Sequence, residues 1–119
     1  MIKVYGINNC DTVKKAIHWL KENQIEFEFH DYKKRGISAE KIDEWLSQYP
    51  FEKLVNKAGT TYKKLSDSEK ALIIDNQSAK LLMLEKNSVI KRPIIESDKI
   101  LLIGFNVDSY ASVFGKKAK

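Results

Sequence analysis

The chain has 119 residues, 43% of them apolar and 31% charged, which is the balance of one domain of about 100–150 residues. A core of that size holds without staples, and the residues offer none: Cys10 has no cysteine partner, and with only His18 and His30 beside it there is no structural-zinc spacing and no metal site. The net charge of +5 points to no nucleic-acid partner, because Lys116, Lys117 and Lys119 form an acid-free tail over 116–119 that reads as a solubilising end.

Residues 2–6 alternate, with Ile2, Val4 and Gly6 on one side, and predict a strand. After the turn Gly6-Ile7-Asn8-Asn9, the residues Val13, Ala16, Ile17 and Leu20 fall at i, i+3, i+4 and i+7, predicting an amphipathic helix from Asp11 to about Glu22. Ile25, Phe27 and Phe29 alternate again, so the first 30 residues read as a βαβ unit. Asp31 to Ile37 is a polar connection. Ser38 then caps a helix whose buried face is Ile42, Trp45 and Leu46 and which Pro50 stops. The pattern weakens over 51–61, and two short helices follow between Ser66 and Glu85, broken near Asp75-Asn76. Ile94-Ile95 and Ile100 to Ile103 predict two strands joined by the loop 96–99, and Val107, Tyr110, Ala111 and Phe114 line a last helix.

The order β-α-β, helices, β-β-α describes an α/β protein of thioredoxin-like fold: one domain over 1–119 with a small mixed sheet and a helical insertion at about 38–86. Met1 to Gly6 lacks the apolar run of a secretory signal, and no stretch approaches the ~20 apolar residues that span a bilayer. The expectation is a cytoplasmic protein without membrane contact, and nothing in the sequence demands more than a monomer.

Cys10 stands where the first helix begins. Unsatisfied backbone N–H groups and the positive end of the helix dipole favour a thiolate there. Lys14, one turn on, adds positive charge, whereas Asp11 opposes ionisation if its carboxylate faces the sulfur. A free cysteine is also commonly an inert core residue. Asn9 and Thr12 can hydrogen-bond a thiolate or, more simply, cap the helix. Only two of the 21 basic residues are arginines, Arg35 and Arg92. A guanidinium grips a carboxylate or oxyanion through paired hydrogen bonds, and Arg92 precedes Pro93.

The segment Tyr5-Gly6-Ile7-Asn8-Asn9-Cys10-Asp11-Thr12-Val13-Lys14-Lys15-Ala16 resembles the active-site loop of the arsenate reductase-like (ArsC/Spx) family, in its YffB-type branch. His30-Asp31-Tyr32, the stretch Gly59 to Leu65, Ile90-Lys91-Arg92-Pro93 and Gly104-Phe105 are similar to later motifs of that branch, in the same order. The resemblance implies a thioredoxin-like fold with a helical insertion and a glutathione-dependent thiol reductase. In that reading Cys10 is the nucleophile, Arg92 lines the site beside a cis Pro93, and Asn9, Thr12 and Lys14 complete a substrate or glutathione site. Glutathione acts as co-substrate with no tightly bound cofactor, and the other partner is a small molecule or a disulfide. Arsenate reductases place further arginines around the oxyanion. Here Asn56 occupies one such position and the stretch Leu101 to Phe105 has none, which argues against efficient arsenate reduction. The alternative implied by the resemblance is a non-enzymatic, Spx-like regulator that binds the alpha subunit of RNA polymerase. Val13 stands at the second position of the Cys-x-x-Cys switch that many such regulators carry.

Overall fold

A computed structural model describes residues 1–116; of the expected basic tail, Lys117 and Lys119 lie outside the described residues. Two compact units are present, one made of Met1–Arg35 with the chain from Arg92 onward, the other of Gly36–Lys91.

The first unit carries the sheet. Its elements are β1 (Ile2–Gly6), α1 (Asp11–Glu22), β2 (Phe27–Asp31) and α2 (Tyr32–Arg35). After the second unit come β3 (Ile94–Glu96), β4 (Ile100–Ile103) and α8 (Val107–Phe114). The strand order is β2-β1-β3-β4, with β1 parallel to β2 and antiparallel to β3, and β3 antiparallel to β4. This four-stranded mixed sheet with β-α-β and β-β-α halves is the thioredoxin-like arrangement that the sequence pattern predicts.

Register explains the core. Val4 lies opposite Phe29 on one side and Ile95 on the other, and Ile95 lies opposite Leu102, so these apolar side chains share a face. Ala16, Trp19 and Leu20 of α1 and Tyr110 and Ala111 of α8 pack against that same face. The Tyr110 hydroxyl donates to the Gly104 carbonyl at 2.5 Å, and its ring meets Trp19 edge-on at 5.6 Å between centroids. On the opposite face Tyr5, Ile94 and Glu96 are buried as well, and the Tyr5 hydroxyl donates to Glu96 Oε1 at 3.1 Å. Alternation marks only Ile2, Val4 and Gly6 as inward; a central strand such as β1 is covered on both sides, which a two-residue period does not reveal.

The second unit is helical: α3 (Ala39–Gln48), α4 (Phe51–Leu54), α5 (Thr60–Lys63), α6 (Asp67–Ala71), α7 (Asn76–Glu85) and a 3-10 turn at Asn87–Val89. Ser38 Oγ accepts the Lys41 N–H at 3.1 Å, the cap that its position predicts. The break near Asp75 is itself a cap, because Asp75 and Ser78 form a capping box at the start of α7. Ile42, Trp45, Leu54, Met83 and Ile90 are fully buried.

Three short helices depart from the sequence reading. The polar connection after Asp31 contains α2, because Asp31 Oδ1 accepts the N–H groups of Lys33 at 2.9 Å and Lys34 at 3.2 Å and so closes a helical turn. Gly36, at φ 74°, follows directly after that turn. The weak pattern over 51–61 covers α4 and the start of α5, each four residues long and too short to show a period. Among the described residues no helix is long and apolar enough to cross a membrane, and no group of acidic, histidine and cysteine side chains is placed to hold a metal ion.

Candidate active site

The sheet topology gathers three side chains at one end. Gly6 pairs with Asp31, so the chain leaving β1 toward Cys10 and the chain leaving β2 at Tyr32 depart from the same edge. Because β3 runs antiparallel to β1, with Tyr5 opposite Ile94, its beginning reaches that edge too, carrying Arg92 two residues before Ile94. The carboxyl ends of parallel strands are where open α/β sheets place their ligands.

Cys10 occupies the N-cap position of α1 with extended backbone (φ −94°, ψ 124°). Its N–H donates to the Ile7 carbonyl at 3.3 Å, closing the turn, and its own carbonyl accepts from Lys14 N–H at 3.0 Å. The side chain is half-buried and has no disulfide. No formed side-chain cap bond joins it to the helix, yet the helix amides face its sulfur. Burial pushes the thiol pKa up; against it act the Val13 N–H, a hydrogen bond and the positive charge from Arg92, and the Thr12 N–H. The second group prevails, and the pKa lies below that of an ordinary cysteine.

Arg92 is half-buried, and its guanidinium donates hydrogen bonds both to the Cys10 sulfur and to the Tyr32 oxygen. The peptide bond from Arg92 to Pro93 is cis. Pro93 is buried, and its carbonyl accepts from the Gly104 N–H at 2.8 Å. Tyr32 has no exposed surface. Burial drives its pKa up to about 12 despite the nearby guanidinium, so at neutral pH it is an uncharged phenol.

Of the residues singled out in the sequence, the fold thus joins Cys10 and Arg92, with Pro93 next in the chain. Asn9, Thr12 and Lys14 are exposed. Neither Asn9 nor Thr12 caps α1, contrary to the simpler expectation, because Cys10 itself takes the cap position; what Thr12 offers the sulfur is its backbone N–H. Asp11 is exposed too. Arg35 is exposed, and His18 pairs with Glu22 one helical turn on. Asn56 Oδ1 accepts the Ala58 N–H at 3.2 Å, a local turn contact. Tyr32 is the site residue that sequence reasoning passed over. Its signal was its place in His30-Asp31-Tyr32, directly after a strand that runs parallel to the one leading to Cys10.

A thioredoxin-like sheet with a single cysteine at the first helix N-terminus and an arginine before a cis proline defines a thiol-bearing α/β protein. The chain matches the ArsC family over residues 5–113 and belongs to that family. It is 42% identical over 114 residues to an uncharacterized protein of Haemophilus influenzae, covering 96% of this chain and 99% of that one. Among solved structures it is similar to the YFFB protein, with 41% identity, a TM-score of 0.88 and coverage of 95% and 98% of the two chains. An arsenate reductase (ArsC) related protein from Brucella melitensis is 45% identical, with a TM-score of 0.77 and coverage of 95% and 93%.

Proposed function

We propose that the protein is a glutathione-dependent monothiol reductase. The Cys10 thiolate attacks one sulfur of a substrate disulfide, forming a mixed disulfide and expelling the other sulfur as a thiolate that takes up a proton. Reduced glutathione then attacks the mixed disulfide as its own thiolate. If the captured half is glutathione, the products are oxidised glutathione and free Cys10, and the two electrons leave the glutathione pool. Arg92 orients a carboxylate of glutathione or of the substrate. Asn9, Thr12 and Lys14 border the entrance, and neither nucleic acid nor membrane takes part. The reading needs a reducing compartment such as the cytoplasm and only one copy of the chain.

The observation that carries this reading is the Cys10 sulfur held between helix amides and a guanidinium that together overcome its burial. With a single cysteine in the sequence, the resolving thiol comes from a second molecule. Arsenate is a poor candidate, since the only arginine held at the sulfur is Arg92 and the Asn56 side chain serves a turn. The test is the reduction of 2-hydroxyethyl disulfide by glutathione, coupled to glutathione reductase, with arsenate as the competing substrate. Turnover is expected from wild type, none from Cys10→Ser, and roughly tenfold less from Arg92→Ala. Equal turnover by Cys10→Ser overturns the proposal, as does arsenate turnover in place of disulfide turnover.

A further inference from the structure

We propose that Tyr32 is a positioning residue whose hydroxyl oxygen anchors the Arg92 guanidinium at the Cys10 sulfur. The inference deepens the reading of Cys10 as the reacting thiol and rests on it. An arginine side chain is a planar fork on a long, rotatable stem, and every polar hydrogen it has is a donor. One fork edge facing a half-buried sulfur is held there more firmly when a further N–H of the fork has its own acceptor. Arg92 finds that acceptor in Tyr32.

Three features suit Tyr32 to this task. It follows β2 without an intervening loop, and Asp31 Oδ1 clamps the two N–H groups after it, which fixes the backbone from which the ring departs. The ring has no exposed surface, so the phenol oxygen is held in place by packing. The oxygen also carries no charge at neutral pH, since burial keeps the phenol protonated to about pH 12. A carboxylate at that position would pair with the guanidinium and cancel the charge that Cys10 needs; a phenol accepts the hydrogen bond and leaves the charge to the sulfur. Tyr32 acts through Arg92, and its effect vanishes when Arg92 is absent.

The experiment is a double-mutant cycle on the full chain. Cys10 is alkylated from pH 5 to pH 10 with neutral iodoacetamide and with anionic iodoacetate, in wild type, Tyr32→Phe, Arg92→Ala and the double variant. Tyr32→Phe keeps the buried ring and removes one oxygen, and circular dichroism verifies its fold. It is expected to lower the iodoacetate rate relative to the iodoacetamide rate by roughly threefold and to move the thiol titration upward, the scale of one lost hydrogen bond. In the Arg92→Ala background the same change has no effect. Tyr32→Phe in an Arg92→Lys background is a second readout: a lysine has no fork to anchor, so the effect shrinks there too.

A silent Tyr32→Phe, with a clear contrast between wild type and Arg92→Ala, overturns the positioning role alone. An equal Tyr32→Phe effect with and without Arg92 overturns it as well, since the tyrosine would then act on the sulfur by another route. A wild-type thiol that titrates as an ordinary cysteine and ignores Arg92→Ala overturns both this inference and the reading of Cys10 on which it rests.

Discussion

Replacing Gly6 with alanine probes the packing that seats Cys10. The added Cβ would lie 2.8 Å from Val13 Cγ2, 3.2 Å from Val13 Cγ1 and 3.5 Å from Phe29 Cε1. Val13 is fully buried in the first turn of α1 and is β-branched, so it has one strongly preferred rotamer and no way to swing aside. Restoring ordinary contact requires its methyl to retreat by roughly 0.6 Å, which moves the helix start with it. Overpacking of this kind costs about 1–3 kcal/mol. The displaced turn also carries the Val13 N–H, the foremost of the groups that favour a charged Cys10 sulfur. Urea unfolding followed by tryptophan fluorescence reads the first effect, and the pH profile of Cys10 alkylation reads the second. Gly6→Ala is expected to be less stable and to alkylate more slowly at neutral pH. Adding Val13→Ala reopens the space and restores the alkylation profile, while stability stays low because buried methyls are gone. A Gly6→Ala protein with unchanged stability and reactivity refutes the reasoning, as does a double variant no more reactive than the single one.

Two pH dependences follow from the buried titrating groups. Burial raises the folded pKa of Tyr32 to about 12 and that of Tyr110 also upward. Above the unfolded tyrosine value near pH ~10 the unfolded chain therefore releases its protons first, so stability is full below that pH and falls as pH rises past it, by on the order of 2 kcal/mol by pH 12 for Tyr32. Urea unfolding between pH 7 and pH 11 checks this: Tyr110→Phe should flatten the alkaline decline, and an equally steep decline counts against the assignment. For Cys10 the folded pKa is lowered, so its contribution is present above the unfolded thiol value near pH ~8.5 and disappears as pH falls through the folded value. The stability difference between wild type and Cys10→Ser should thus be larger at pH 9 than at pH 6, and a difference that is flat or grows toward acid contradicts the charged-sulfur account.

The main elements of the sheet unit were legible because each carries a period long enough to read. The stripe of Val13, Ala16 and Leu20 over about two turns fixes α1, and Val107, Tyr110 and Ala111 do the same for α8. Caps are local chemistry, and Ser38 and the break at Asp75 were equally readable. What stayed hidden depends on three dimensions. The turn of α2 hangs on one carboxylate, Asp31, accepting two amides, and four residues hold no period. The burial of Tyr5 depends on β1 being central in the strand order, and the role open to Tyr32 depends on the pairing of Gly6 with Asp31. Read from the residues themselves, Cys10 and Arg92 were visible one at a time, as a helix-start cysteine and a rare arginine before proline, and it was the family resemblance that set them in one site. Their meeting, across some eighty residues of chain, is a consequence of β3 running antiparallel beside β1.

That meeting also explains why the sulfur is tuned by opposition and not by charge alone. A fully exposed helix-start cysteine gains only a modest bias from the dipole, because water screens it. Half-burying the sulfur works against the thiolate, but the same low-dielectric surroundings strengthen the guanidinium and amide contacts aimed at it. The site therefore depends on those contacts more steeply than an exposed thiol would: removing the guanidinium leaves the burial penalty standing without its counterweight. For this reason Arg92→Ala is expected to do more than return Cys10 to an ordinary cysteine. With Arg92 gone the Val13 and Thr12 amides remain as the favourable groups, and burial, the largest single influence on the sulfur, gains weight against them. The alkylation profile of Arg92→Ala, set beside that of an unfolded chain in urea, separates the two cases, since a guanidinium that merely added to an exposed dipole effect would leave the variant still more reactive than the unfolded thiol.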